Sequence, residues 1–310
     1  MTDPDSAQGD RKAEWVPPVL LLITGGLLAV TVIVSQRAAT EGAAMLWFLA
    51  TVMGGAGLIL LAATAVTGKA KGNWRHLLIY SLGGGVFRAV PNAMVYLSIV
   101  HVGAGFVSVA FAFPLLLTYL MALVFRMERF APLRALGVAV ALSGGLFLVF
   151  SKVDAISAES GAAGWVIIAS LSPIIVAGGN LYRTRFWPPG APPMLLAALM
   201  LIFAALLVAV FAVLVDGGSG IPGLWLNQQV LILTGINIVV FALQYIAFFQ
   251  LQHVAGPVYL SQIGSVAAAV GIPVAVLFLG EVLPQGFAFA LLLIVTGAVL
   301  FQVTSRRAVR

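Results

Sequence analysis

Gly83-Gly84-Gly85-Val86-Phe87-Arg88-Ala89-Val90-Pro91-Asn92-Ala93-Met94-Val95-Tyr96 sets an arginine, a proline and two polar side chains inside a run otherwise apolar enough to cross a bilayer. A charge at the centre of a spanning helix costs about 2.5 to 3.5 kcal/mol, so it turns to a bundle interior or a wet cavity and finds a partner there. Helical spacing puts Arg88, Asn92, Val95 and Tyr96 on one side, and Pro91 removes one hydrogen bond of the turn before it. Two readings stay open. Either that side lines a polar cavity, or Arg88 satisfies carbonyls loosened by Pro91 and the glycines, as backbone at membrane depth requires.

The rest of the chain shares this apolar character. It is 62% hydrophobic and 8% charged, with a mean hydropathy of +1.11, against about 25% charged residues in an ordinary soluble domain. That composition describes a polytopic, all-α integral membrane protein. With no cysteine, disulfides, thiolate catalysis and cysteine-bound metal are excluded. Residues 1–15 are polar, and the run after them lacks a small-residue cleavage signature, so it reads as a retained first helix.

Apolar runs fall at 16–36, 43–66, 76–100, 103–125, 133–151, 162–182, 194–215, 226–250, 256–279 and 285–304. Each matches the roughly 17 to 25 residues needed to span the hydrocarbon, which predicts ten spans. Arg11, Lys12, Lys69, Lys71, Arg75, Arg126, Arg129, Arg134, Arg183, Arg185, Arg306, Arg307 and Arg310 lie on one side if the N-terminus is cytoplasmic; only Arg37 and Lys152 lie on the other. Arg88 is the one basic residue placed at depth. The bias puts both termini in the cytoplasm. It also explains the net charge of +6 by topology, and no nucleic-acid footprint is seen. The tryptophans, Trp15, Trp47, Trp74, Trp165, Trp187 and Trp225, sit near span ends, as an interfacial belt would.

A weak internal repeat runs at an offset of 152 to 153 residues: Gly25-Gly26 and Gly178-Gly179, His101-Val102 and His253-Val254, Ser108 and Ser261, Glu128 and Glu281, Ser143-Gly144 and Thr296-Gly297. Five spans per half make the second half inverted, an arrangement that places a site near the midplane between halves. The expected organisation is a cytoplasmic segment 1–15, a first five-helix repeat 16–151, an external linker 152–161, a second inverted repeat 162–304 and a basic cytoplasmic tail 305–310.

In each half the fourth run is followed by a glutamate and a proline (Glu128 then Pro132; Leu279-Gly280-Glu281 then Pro284). The last run carries a small-Gly-aliphatic pattern (Ser143-Gly144-Gly145-Leu146; Thr296-Gly297-Ala298-Val299). With two five-helix halves, this resembles the EamA-type transporters of the drug/metabolite transporter superfamily, over nearly the whole chain. The resemblance implies an inner-membrane carrier exporting amino acids or related metabolites. Its spans 1, 3, 4, 6, 8 and 9 would surround a central cavity, and the similar branch exports aromatic amino acids. One departure is that Pro114 stands fourteen residues before Glu128, while the matching position before Glu281 is Ala267.

The repeat gives Arg88 no charged counterpart, since Val240 or Phe241 falls there, and this asymmetry favours the cavity role. A guanidinium suits a substrate carboxylate, which it grips bidentately, with Asn92 and Tyr96 beside it. On the eighth run Asn237, Phe241, Gln244, Tyr245 and Phe248 share a face, either as substrate contacts or as an interhelical hydrogen-bonded seam. Asn180 on the sixth run, Ser108 and Phe111 on the fourth, and Tyr259 and Gln262 on the ninth are further wall candidates, Asn180 equally as a partner for loosened backbone. His101 and His253 read as hairpin architecture, and Glu128 and Glu281 as helix-end partners.

No Asp or Glu falls inside a run, so transport without a carboxylate relay is expected, as facilitated diffusion or by another coupling. No nucleophile-base pair at depth points to an enzyme, and no cofactor or metal is expected. The partners foreseen are a small-molecule substrate and the bilayer, with the protein a monomer or homodimer. Nucleotide-sugar, sugar-phosphate or drug transport is the alternative the same resemblance allows; a non-transporting scaffold fits less well. A phosphoester needs several cations, and one arginine at depth fits a carboxylate better.

Overall fold

A computed structural model describes residues 4–68, 72–110, 113–127, 130–156, 162–221, 226–260, 262–280 and 286–307. It describes their side chains except at 4–14, 105, 108, 109, 148, 149, 152–156, 162, 163, 216, 256–259, 275, 278, 279, 298 and 302–307. Among the described residues the structure is all helix and turn: α1 (Pro4–Thr40), α2 (Met45–Val66), α3 (Trp74–Val102), α4 (Ala104–Ala110), α5 (Phe113–Val124), α6 (Pro132–Ile156), α7 (Ala162–Arg185), α8 (Pro193–Asp216), α9 (Gln228–Leu260), α10 (Ile263–Leu279) and α11 (Phe287–Arg307). Lipid offers no hydrogen bonds, so an apolar chain of this kind satisfies its backbone within each segment.

Among the described residues six helices are long and apolar enough, by length and composition, to cross a membrane: Trp15–Thr40, Met45–Val66, Trp74–Val102, Gly164–Arg185, Pro193–Val215 and Gln228–Ala255. The other four apolar stretches of the sequence fall on α4 with α5, on α6, on α10 and on α11. The exterior is as apolar as the core. Leu22, Leu58, Ile79, Leu206, Val210, Ile232 and Leu292 are all well exposed at mid-helix positions, a surface made for hydrocarbon rather than water.

Local boundaries follow the expected punctuation. Asn73 caps α3, its side chain accepting the Arg75 N–H at 3.1 Å, and Pro193 opens α8. Gly103 ends α3 at φ +85, a conformation costly for other residues, with its N–H bonded to Ile99 O. Pro114 sits in the first turn of α5, where proline is tolerated, whereas Pro273 lies inside α10. α9 is not a straight rod. Gln244 and Leu260 wall one cavity of about 40 Å³, yet that length of straight helix would separate them by about 24 Å. The departure from straightness falls between Gln244 and Leu260, a stretch that contains Gly256 and Pro257.

His253, read as hairpin, lies inside α9, against Trp187. His101 instead lies in the last turn of α3, stacked on Trp165 at 4.9 Å. Trp187, half-buried just beyond the end of α7, packs against Tyr80, Phe249 and His253.

Packing is by pairs. α6 lies along α11, α2 along α8, α1 against α9 and α10, and α3 against α7 and α8, while α5 also meets α7. Small residues let the backbones meet: a methyl on Gly144 would stand 2.7 Å from Ala290 O, and one on Gly137 2.7 Å from Gly297 O. Gly57 meets Ala198 and Ile202 in the same way between α2 and α8. The main buried cluster draws on α1 to α4 and α7 to α11; a second, smaller one joins Leu115, Leu116, Tyr119, Val138, Ala141 and Phe301.

Candidate functional site

The polar face of α3 points inward. Arg88, Asn92, Val95 and Tyr96 are all buried, with Arg88 only 7% exposed. Asn92 Nδ2 donates to Arg88 O at 2.6 Å, and Arg88 Nη2 donates to Asn92 Oδ1 at a long 3.5 Å. Arg88 Nε has no hydrogen-bond partner. The guanidinium thus does not serve the carbonyls near Pro91. Its main neighbour is the Tyr245 ring, 4.9 Å from Cζ to the centroid, a contact worth up to about 2 kcal/mol when desolvated.

The opposing wall is α9. Asn237, Phe241, Gln244, Tyr245 and Phe248 are all buried, as their spacing requires. Phe241, Tyr245 and Phe248 form a ladder of stacked rings, with centroids 5.0 and 5.6 Å apart. From α1, Thr31 Oγ1 donates to Gln244 Oε1 at 3.2 Å, and Ser35 Oγ accepts from Asn237 Nδ2 at 3.2 Å. The hydroxyl of Tyr96 faces Ser35 and Asn237 without reaching hydrogen-bond geometry with either. Asn237 Oδ1 and the Tyr245 hydroxyl are also buried without partners.

α7 supplies what the sequence reading missed. Arg183, counted among the cytoplasmic loop charges, is 2% exposed. Its Nη2 donates to Asn180 Oδ1, its Nε donates to Gln252 Oε1 at 3.2 Å, and its Cζ lies 5.1 Å from the Phe248 centroid. Asn180 Nδ2 continues to Thr118 Oγ1 at 3.4 Å, and Gln252 Nε2 to Thr184 Oγ1 at 3.3 Å. The available signal was spacing. Arg183 lies three residues beyond Asn180, on the same helical face, as Thr31 and Ser35 lie four apart on theirs. Arg134, also assigned to a loop, is 8% exposed and lies over Phe301.

Among the described residues neither Arg88 nor Arg183 meets a carboxylate. The one ion pair among the described residues is Arg37–Glu41, at the surface. Leu28, Arg88, Pro114, Asn180, Gln244 and Phe248 help to line a central cavity of about 40 Å³, room for one or two waters. Larger hollows, of about 560 Å³ along α1 and α9 and 430 Å³ beside Phe87 and Tyr182, are grooves with apolar linings.

Of the remaining candidates, Gln262 is half-buried at the start of α10, its carbonyl accepting from Ser265 and Val266. It lines no part of the central cavity, because its neighbours Leu260, Ile263 and Gly264 fill that wall instead. Phe111 and the side chains of Ser108 and Tyr259 lie outside the described residues.

No family model matches the chain, and no curated protein matches it. A solved structure bearing only the words "Crystal structure of protein" is similar to it at 20% identity, with a TM-score of 0.62, over 96% of this chain and 99% of that one. The likeness is one of fold.

Proposed function

We propose that the protein is an alternating-access carrier of the inner membrane that exports a small carboxylate-bearing metabolite, with aromatic or large apolar amino acids the first candidates. In this reading the chain crosses the membrane ten times as two inverted five-helix halves, both termini cytoplasmic. The carrying observation is Arg88: a buried guanidinium at the wall of a small central cavity, with an unpartnered Nε and, among the described residues, no carboxylate beside it. Such a group is costly at depth unless an anion completes it, and its fork matches a carboxylate.

The packing supports the inverted halves. Under an exchange of residues 152 to 153 apart, α2 against α8 and α6 against α11 map onto themselves, and α1 against α9 maps onto α7 against α3. Gly144 meets Ala290, and their repeat partners Gly297 and Gly137 meet in turn. A cavity of about 40 Å³ is far too small for an amino acid, so cargo enters only when helices part, as alternating access demands.

Counterflow in proteoliposomes tests this. Vesicles loaded with unlabelled phenylalanine are followed for uptake of labelled phenylalanine, with other amino acids and phosphorylated sugars as competitors. Counterflow that competes with carboxylate-bearing molecules and is lost in Arg88→Gln is expected. Normal exchange in Arg88→Gln would make the arginine structural, and no exchange from folded protein would sink the amino-acid assignment.

A further inference from the structure

We infer that the central site is built for a ligand with two negative charges, held by Arg88 on one side and Arg183 on the other. This rests on the carrier reading's use of Arg88 as an anion anchor and adds a second one. Both guanidiniums lie against the same ladder on α9, Arg88 on Tyr245 and Arg183 on Phe248, rings whose centroids are 5.6 Å apart. Two like charges desolvated along one wall repel each other, and rings with neutral amides screen them only weakly. Among the described residues no acidic side chain answers them: Arg183 is bonded to Asn180 and Gln252, and Arg88 to Asn92.

Arg183 stands one side chain behind the cavity. It touches Asn180 and Phe248, and both of these line that space. Its two hydrogen bonds also join α7, through Asn180, to α9, through Gln252. Parting those helices to admit cargo breaks the link between them and uncovers the second guanidinium. A ligand with two carboxylates, or with one doubly charged phosphate, then replaces the amides with charge-assisted bonds, about twice as strong as neutral ones.

The probes are pairs that differ by one charge: succinate against its monoamide succinamate, and glycerol phosphate against glycerate. Binding is read from ligand-induced thermal shifts of the purified full-length protein in detergent, and transport separately from counterflow. The wild type is expected to bind at least one dianion about tenfold or more tightly than its singly charged partner. A preference for succinate assigns two separated carboxylates, and one for glycerol phosphate a single phosphate. Arg183→Gln should abolish the preference while retaining binding of the single charge; Arg183→Lys should keep part of it; Arg88→Gln should lose both.

Equal binding of both members of each pair by the wild type overturns the inference, even if Arg183→Gln does not fold. An unchanged preference in folded Arg183→Gln overturns it as well. Dianion binding with no counterflow of any probe sinks the carrier reading and leaves the two-arginine site standing. Robust phenylalanine counterflow without a dianion preference does the reverse.

Discussion

At the scale of single residues, the molecule keeps its unsatisfied atoms together. Arg88 Nε, the Tyr96 and Tyr245 hydroxyls and Asn237 Oδ1 are buried without partners around the α3–α9 contact. An orphaned buried hydroxyl costs about 1 to 3 kcal/mol. Tyr245→Phe keeps the ring under Arg88 and removes such a hydroxyl, so the melting temperature in detergent should hold or rise; a clear fall would show a partner for that oxygen. Arg88→Gln should lower counterflow at least about tenfold. Arg37→Gln, which removes only the exposed i,i+4 pair with Glu41, should leave transport unchanged, since such pairs are worth about 1 kcal/mol or less. Arg88 was legible in the sequence because its whole surrounding run is apolar. Arg183 was not, because it stands at a helix end beside other basic residues, where lateral packing alone decides whether a side chain is buried or wet.

At the scale of elements, glycine decides which helices touch. Gly144 abuts the Ala290 carbonyl and the start of Ile294, whereas nothing lies within 4 Å of a methyl placed on Gly26. Gly144→Leu should therefore cost about 1 to 3 kcal/mol or more through overpacking. Gly26→Ala should be neutral or stabilising by up to about 1 kcal/mol. Thermal unfolding followed by size-exclusion recovery checks both, and equal stabilities would remove the glycine seam from the account. The polar face of α9 was readable from its three-, four- and seven-residue spacings, which fix a face wherever a helix is regular. The turn at Gln262 was not, because periodicity does not say where along a broken helix a side chain leaves the core.

At the scale of the whole molecule, the proposed topology puts Arg37 outside and Arg75 inside. The chain has no cysteine, so Arg37→Cys and Arg75→Cys each carry one reporter. A membrane-impermeant maleimide added to intact cells should label the first and spare the second until the membrane is opened; labelling of both from the same side would refute the inverted halves. The small central cavity has a consequence for any such assay. One or two waters cannot fully hydrate the guanidinium that lines it, with a second one standing behind, so the empty protein will recruit whatever inorganic anion its surroundings supply. Chloride then becomes a competitor rather than a background salt. Affinities measured in chloride should be weaker than those measured in gluconate, and by more in the wild type than in Arg183→Gln.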